Sequence, residues 1–211
     1  MMPAVASPPG KEFYNMSKMN LPNRLTLLRV ILVPVFVACM LYIPNAIVNG
    51  FVSCAVFALA SLTDMLDGKI ARKYNLITNF GKFMDSLADK FMIFAALVVL
   101  TVIHPDPTVR HVLIWVTLLV IFRELAVTSI RLVCQQSAGK VIAANYFGKI
   151  KAVVQMVCII VMLLEPSIRE LFDIDTLWIP SYVLIAAMAV LTLASGIDYF
   201  KTYLPYMDSN K

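Results

Sequence analysis

Six runs of apolar residues, near positions 24–43, 50–70, 83–103, 109–134, 148–165 and 178–200, are separated by short polar or proline-bearing breaks. Each run approaches the roughly 20 helical residues that cross a hydrocarbon core. No stretch alternates with the two-residue period of a barrel strand, and a lipid-exposed backbone must satisfy its own hydrogen bonds, so every run is predicted to be helical. Pro44 with Asn45, Pro105 with Pro107, and Pro166 mark the expected helix ends, because proline lacks the N–H that continues a helix. The pattern predicts an all-α integral membrane protein, six transmembrane helices in one bundle.

Composition agrees. Of the 211 residues, 60% are hydrophobic and 15% charged, against roughly half and about a quarter in soluble domains. A single membrane domain over 19–205 is expected, with a loose extension at 1–18 and a short tail at 206–211. The extension has no apolar core and no small-residue cleavage site, so it does not read as a cleavable signal peptide. The patterned sequence begins at MNLPNRLT, which makes Met19 an alternative start.

Charge sets the orientation. Lys11, Lys18, Arg24 and Arg29 open the chain; Lys69, Arg72, Lys73 and Lys82 flank the second connection; Arg131, Lys140, Lys149 and Lys151 flank the fourth; Lys201 and Lys211 close it. The other three connections hold only Arg110 and Arg169. Short cytoplasmic loops retain Lys and Arg, so both termini are expected in the cytoplasm. The net charge of +5 is then concentrated on one face, which suits anionic membrane lipid headgroups and phosphates. No nucleic-acid partner is expected. Cys39, Cys54, Cys134 and Cys158 fall in or beside apolar runs without CxxC spacing and are read as buried thiols filling the bundle. His104 and His111 are read as ordinary interface residues of an outer connection.

Four carboxylates break the apolar pattern. Asp64 and Asp67 end the second run, and Asp85 and Asp89 begin the third. A carboxylate at membrane depth is costly unless it faces a partner or a wet cavity. Residues three or four apart share a helix face, so each pair points together, and the short link from Lys73 to Phe80 predicts that the second and third helices are antiparallel neighbours. Four close carboxylates ionise together only around a cation, and hard oxygen ligands without His or Cys suit Mg²⁺ or Mn²⁺. Two such ions would clamp the attacking and leaving oxygens of a phosphoryl displacement. Gly68 and Ala71 clear a groove beside Asp67, Gly81 lets the two helices approach, and Arg72 at the rim is either a phosphate ligand or a snorkelling anchor. The non-enzymatic alternative for the same acids is a carboxylate-lined cation transporter.

From Asp64 to Asp89 the chain reads DxxDGxxAR, eight residues, then GxxxDxxxD. This string resembles the signature of the CDP-alcohol phosphotransferase family, and the resemblance extends over nearly the whole chain after Met19. It implies that Asp64, Asp67, Asp85 and Asp89 bind two divalent ions that hold a CDP diphosphate. It also implies that Asp89 is the catalytic base, that Gly68, Ala71 and Arg72 line the cytidine and diphosphate groove, and that the protein is a homodimer. Asn23, Thr26 and Arg29 recur every third residue in MNLPNRLTLLR, which resembles the family's opening, where the Asn and Thr positions face the nucleotide. Their alternative roles are a helix cap at Asn23 and a membrane-end anchor at Arg29.

The acceptor is read from residues outside the signature. FRELAVTSIRL carries Arg123, Glu124 and Arg131, and NYFGKIKAVVQM carries Lys149, Lys151 and Gln155. Several cations reaching one cytoplasmic cavity suit an acceptor with its own phosphate, and Glu124 is expected to orient an arginine. These segments resemble bacterial family members that use glycerol 3-phosphate. Arg123, Arg131, Lys149 and Lys151 are thus the expected acceptor-phosphate ligands, and CDP-diacylglycerol is the expected donor, at a bacterial inner membrane with the site facing the cytoplasm. A cardiolipin synthase, or another family member with a different acceptor, is the nearest alternative.

Overall fold

A computed structural model of the chain describes residues 21–73, 79–138, 146–174 and 178–203; side chains are described there except at 21–24, 64–73, 79–83, 85, 86, 89 and 132–138. The expected extension at 1–18 and the tail at 206–211 therefore lie outside the described residues. Six helices follow one another: α1 Leu21–Tyr42, α2 Ala46–Lys73, α3 Asn79–Ile103, α4 Pro107–Ala138, α5 Tyr146–Phe172 and α6 Ile179–Tyr203. No strand occurs among the described residues. Five of the helices are long and apolar enough to cross a membrane, and α3 contributes a shorter apolar stretch, Lys90–Ile103.

Local chemistry explains the boundaries at 42–46 and 103–107. Asn45 caps α2, its Oδ1 accepting from the Val48 N–H at 2.9 Å. Asp106 caps α4, its Oδ1 accepting from the N–H groups of Thr108 and Val109 at 2.7 and 3.1 Å. Pro107 then occupies the first helical position, where a missing N–H costs nothing. Burial would raise the Asp106 carboxyl, but these two backbone donors, together with the His104 charge and the Tyr182 hydroxyl, outweigh it and hold the group below the usual carboxylate range.

Pro166 does not end the fifth helix, contrary to expectation: α5 runs on to Phe172 with the proline inside it. Contacts on either side of Pro166 hold the backbone helical. The Ser167 hydroxyl donates to the Ala46 carbonyl at 2.8 Å, and Glu165 accepts through Oε2 from the Ser181 hydroxyl and from the Ser181 N–H. These contacts tie α5 to α2 and α6 on either side of the proline. The helix ends instead at Asp173, which takes a positive φ of 50°, while the Ile174 N–H returns to the Arg169 carbonyl at 3.0 Å, a left-handed helix stop.

Packing also differs from the simplest reading of chain order. Among the described residues α1 packs extensively on both α2 and α3, and direct contact between α2 and α3 is sparse. The core is built from Phe36, Phe57, Leu97, Leu113, Ile159 and Met188, all essentially inaccessible, with the rings of Phe36 and Phe57 5.9 Å apart. Leu27, Ile31, Trp115, Phe122, Val153 and Val190 are exposed on the outside of the bundle. A buried and a lipid-facing position are equally apolar, so close packing selects the neighbours.

The four cysteines differ. Cys158 is buried, whereas Cys39 and Cys54 are only half-buried, in part contrary to the reading of all four as core thiols; the Cys134 side chain lies outside the described residues. The two histidines differ as well: His111 is exposed, while His104 is buried, with its ring edge-on to Trp178 at 4.9 Å. Burial pushes the His104 imidazole pKa down, and Arg110 adds to that; a backbone hydrogen bond with Asp106 and the Asp106 charge oppose it.

Candidate active site

Successive helices alternate in direction, so the starts of α1, α3 and α5 share one end of the bundle with the ends of α2, α4 and α6. The expected chemistry collects there. Asp64 and Asp67 lie in the last turns of α2, and Asp85 and Asp89 in the first turns of α3. Their side chains, with those of Asn23, Gly68, Ala71 and Arg72, lie outside the described residues. Among the described residues no group of three or more His, Cys, Asp or Glu side chains is placed to hold a metal ion.

Described side chains do reach the edge of that region. Thr26 and Arg29 are buried on α1, Arg29 to 1% exposure, which removes the reading of Arg29 as a surface anchor. Arg29 lines a narrow cleft with Ser61, Met92 and Ile93. Ser61 precedes Asp64 by one helical turn and Met92 follows Asp89 by one, so α1 inserts a buried guanidinium one turn below the carboxylate positions of both helices.

Beside it opens a cavity of about 260 Å³, formed by α3, α4, α5 and α6 and lined by Lys90, Arg123, Arg131, Lys151, Gln155 and Tyr199, among others. Glu124, also on its wall, accepts through Oε1 from Arg123 Nη1 at 2.8 Å and from Lys151 Nζ at 2.6 Å. Arg131 donates to the Tyr199 hydroxyl at 2.6 Å, and the Arg123 and Arg131 guanidinium carbons lie 5.6 and 5.8 Å from the Tyr199 ring centroid. Lys90 Nζ is 2.5 Å from Thr128 Oγ1. Four cations thus line the cavity with one described carboxylate between them, a field that attracts anions. Arg123 Nε and Gln155 Nε2 are buried with no hydrogen-bond acceptor, and buried donors left unpaired call for one.

Of the four cations read from sequence as acceptor ligands, the structure brings Arg123, Arg131 and Lys151 to this cavity. Lys149 is exposed and is not part of its lining. Lys90 and Tyr199 are among the lining residues that were not singled out from the sequence. Lys90 carried a usable signal, an intramembrane cation directly after Asp89; Tyr199 carried none, because α6 meets α4 only through the fold. Gln155 lies one turn beyond Lys151, on the same face of α5.

At the opposite end a second cavity, of about 180 Å³, is lined mainly by apolar residues including Met40, Leu100 and Met162. Its one amide, Asn49, already donates to the carbonyls of Met40 and Ile43, each at 2.9 Å. That cavity lacks the charged groups of the first.

Comparison with known proteins bears on the bundle as a whole. A sequence model of the CDP-alcohol phosphatidyltransferase family matches residues 19–194. The chain is 38% identical over 198 residues to the CDP-diacylglycerol–glycerol-3-phosphate 3-phosphatidyltransferase of Bacillus subtilis (strain 168), covering 86% of this chain and 93% of that protein. It is 39% identical over 181 residues to a probable phosphatidylglycerophosphate synthase of Mycobacterium tuberculosis (strain CDC 1551 / Oshkosh), covering 85% and 79%. It is 33% identical over 187 residues to the CDP-diacylglycerol–glycerol-3-phosphate 3-phosphatidyltransferase of Rickettsia felis, covering 89% and 97%. The match over most of its length, on a bundle of six helices with the signature string at the ends of α2 and α3, shows that the chain belongs to the CDP-alcohol phosphatidyltransferase family.

Proposed function

We propose that this protein transfers the phosphatidyl group of CDP-diacylglycerol to glycerol 3-phosphate, forming phosphatidylglycerophosphate and releasing CMP at the cytoplasmic face of a bacterial inner membrane. The observation that carries the acceptor is the cavity holding Lys90, Arg123, Arg131 and Lys151, at the same end of the bundle as the four carboxylate positions. An acceptor without a phosphate gives these cations nothing to neutralise, whereas a phosphate monoester is matched by charge-assisted hydrogen bonds. The names of the Bacillus and Rickettsia relatives support the same acceptor.

For the donor, four carboxylates without His or Cys form a hard oxygen donor set that fits Mg²⁺ or Mn²⁺. Asp64, Asp67, Asp85 and Asp89 would hold two such ions, which when bound neutralise charge on the CDP diphosphate. Asn23, Thr26, Gly68, Ala71 and Arg72 are assigned to the nucleotide groove. Asp89 is assigned as the base that accepts the proton of the attacking glycerol hydroxyl, and Arg123, Arg131 and Lys151 hold the acceptor's phosphate so that this hydroxyl faces the lipid-linked phosphorus. The oxygen–phosphorus bond to glycerol forms as the bond to CMP breaks, so the enzyme's task is chiefly positioning and charge stabilisation.

Product analysis tests this reading. Purified protein in detergent, given CDP-diacylglycerol and glycerol 3-phosphate, is expected to form a lipid with the mass of phosphatidylglycerophosphate, and chelation of divalent ions is expected to stop its formation. A product of any other mass would refute the acceptor assignment, and undiminished turnover in chelator would refute the metal.

A further inference from the structure

In the basic cavity the protein supplies its own anion. One oxygen of Glu124 bridges Arg123 on its own helix and Lys151 on α5, and these two cations are the most buried of the four, at 9% and 3% exposure. Arg123 is seated between helices, with its Cγ 3.5 Å from where a Cβ on Gly196 would stand and its Nη2 3.9 Å from one on Gly148. The two cations best placed to grip a phosphate are therefore already engaged by a carboxylate, while the buried donors Arg123 Nε and Gln155 Nε2 beside them have no acceptor. A bridging carboxylate beside unpaired buried donors is a protein anion holding cations that a phosphate could also take, with donors left over for a larger ligand.

We propose that Glu124 is an internal stand-in for the acceptor's phosphate, a positioning residue that holds Arg123 and Lys151 in the ligand-free protein and yields them when a phosphate monoester enters. The proposal rests on reading this cavity as the acceptor site. Inorganic phosphate offers only its own charged oxygens with which to displace the carboxylate, whereas a phosphorylated alcohol also brings hydroxyl oxygens that can accept from donors such as Gln155. The carboxylate thus raises the threshold for every anion, and a ligand with these additional hydrogen bonds is the one that still binds well against it.

The sign of the effect separates this role from that of a plain structural clamp. A phosphate gripping Arg123 and Lys151 comes within a few ångströms of the Glu124 carboxylate, and like charges that close repel strongly where water is scarce. Removing the carboxylate's charge should therefore tighten anion binding by about tenfold or more. Removing a clamp that merely aims the cations should weaken it.

The test is calorimetric binding of glycerol 3-phosphate and, separately, inorganic phosphate to the full-length protein in detergent, comparing wild type, Glu124→Gln and Glu124→Asp. Glu124→Gln is expected to bind both anions about tenfold or more tightly. Its thermal stability without anion should fall, since two buried cations lose their partner, and should recover when phosphate is added. Glu124→Asp keeps the charge but is too short to bridge both cations, so a smaller gain in the same direction is expected; it carries the comparison if the glutamine variant does not fold. Equal or weaker anion binding in the variants overturns the stand-in role and leaves the cavity as the acceptor site. Absence of saturable glycerol 3-phosphate binding in every form, while the wild type still releases CMP with that acceptor, overturns the cavity assignment and the proposal with it.

Discussion

Gly50 of α2 lies directly against Ser167 of α5, so close that a Cβ on the glycine would collide with the serine Oγ and stand 2.5 Å from the Leu163 carbonyl oxygen. The contact lies beside the Ser167 to Ala46 hydrogen bond and one residue past Pro166. It is the small-residue approach by which membrane helices pack closely, and it joins the α1–α2 pair to the α5–α6 pair at the end away from the active site. Gly50→Ala should therefore destabilise the fold by about 1–3 kcal/mol, because a backbone carbonyl cannot step aside as a side chain can. Thermal unfolding in detergent measures it. An unchanged midpoint would mean that the two helices separate at little cost.

His104 makes stability depend on pH. Burial lowers its folded-state pKa from 6.5, so below about that pH the unfolded chain binds the proton that the folded one resists. Stability is then full above pH about 6.5 and falls as pH drops through that value toward the lower folded pKa. Charged and aromatic neighbours at this site are Asp106, Arg110 and Trp178, the last with Arg169 stacked 4.1 Å from its ring centroid. The melting temperature of wild type should drop between pH 7 and 5.5 more than that of His104→Gln. Parallel curves would assign the pH dependence to other groups.

Arg123→Ala should raise the KM for glycerol 3-phosphate by about 10- to 100-fold, the worth of a buried charge-assisted hydrogen bond, with a much smaller effect on the KM for CDP-diacylglycerol. Lys149→Ala, at an exposed position outside the cavity lining, should change neither by more than about twofold. Steady-state kinetics with each substrate varied in turn decides this, and equal sensitivity of both substrates to Arg123→Ala would place the phosphate elsewhere.

Asp89→Asn should lower kcat by at least about a hundredfold, the typical contribution of a positioned base, while the protein remains folded and still binds nucleotide. Turnover near the wild-type rate, with CMP affinity intact, would remove the assignment of Asp89 as the base.

What the sequence made legible follows from which forces act locally. The breaks before α2 and α4 were readable because Pro44, Pro105 and Pro107 act on the backbone directly beside them. The end of α5 was not, because the groups holding the helix past Pro166 come from α2 and α6. Likewise Asp64 and Asp89 stood out as carboxylates in apolar runs, but the insertion of α1 beside both α2 and α3 left no periodic trace, since Leu27 facing outward and Phe36 facing inward are both apolar. Arg123, Arg131 and Lys151 could be grouped by their charge alone, whereas Tyr199 joins them from 68 residues beyond Arg131, and Lys149 separates from Lys151 only once the turn of α5 is fixed.

The central claim is transfer from CDP-diacylglycerol to glycerol 3-phosphate, an acceptor that carries a phosphate monoester. The most direct measurement is CMP release by the purified protein with CDP-diacylglycerol and Mg²⁺ or Mn²⁺, offering glycerol 3-phosphate, phosphatidylglycerol, inositol and serine in turn beside an active control enzyme. Release that depends on the metal and occurs only with glycerol 3-phosphate is the predicted result. Release with one of the other acceptors, or none that depends on metal while the control turns over, would contradict the account.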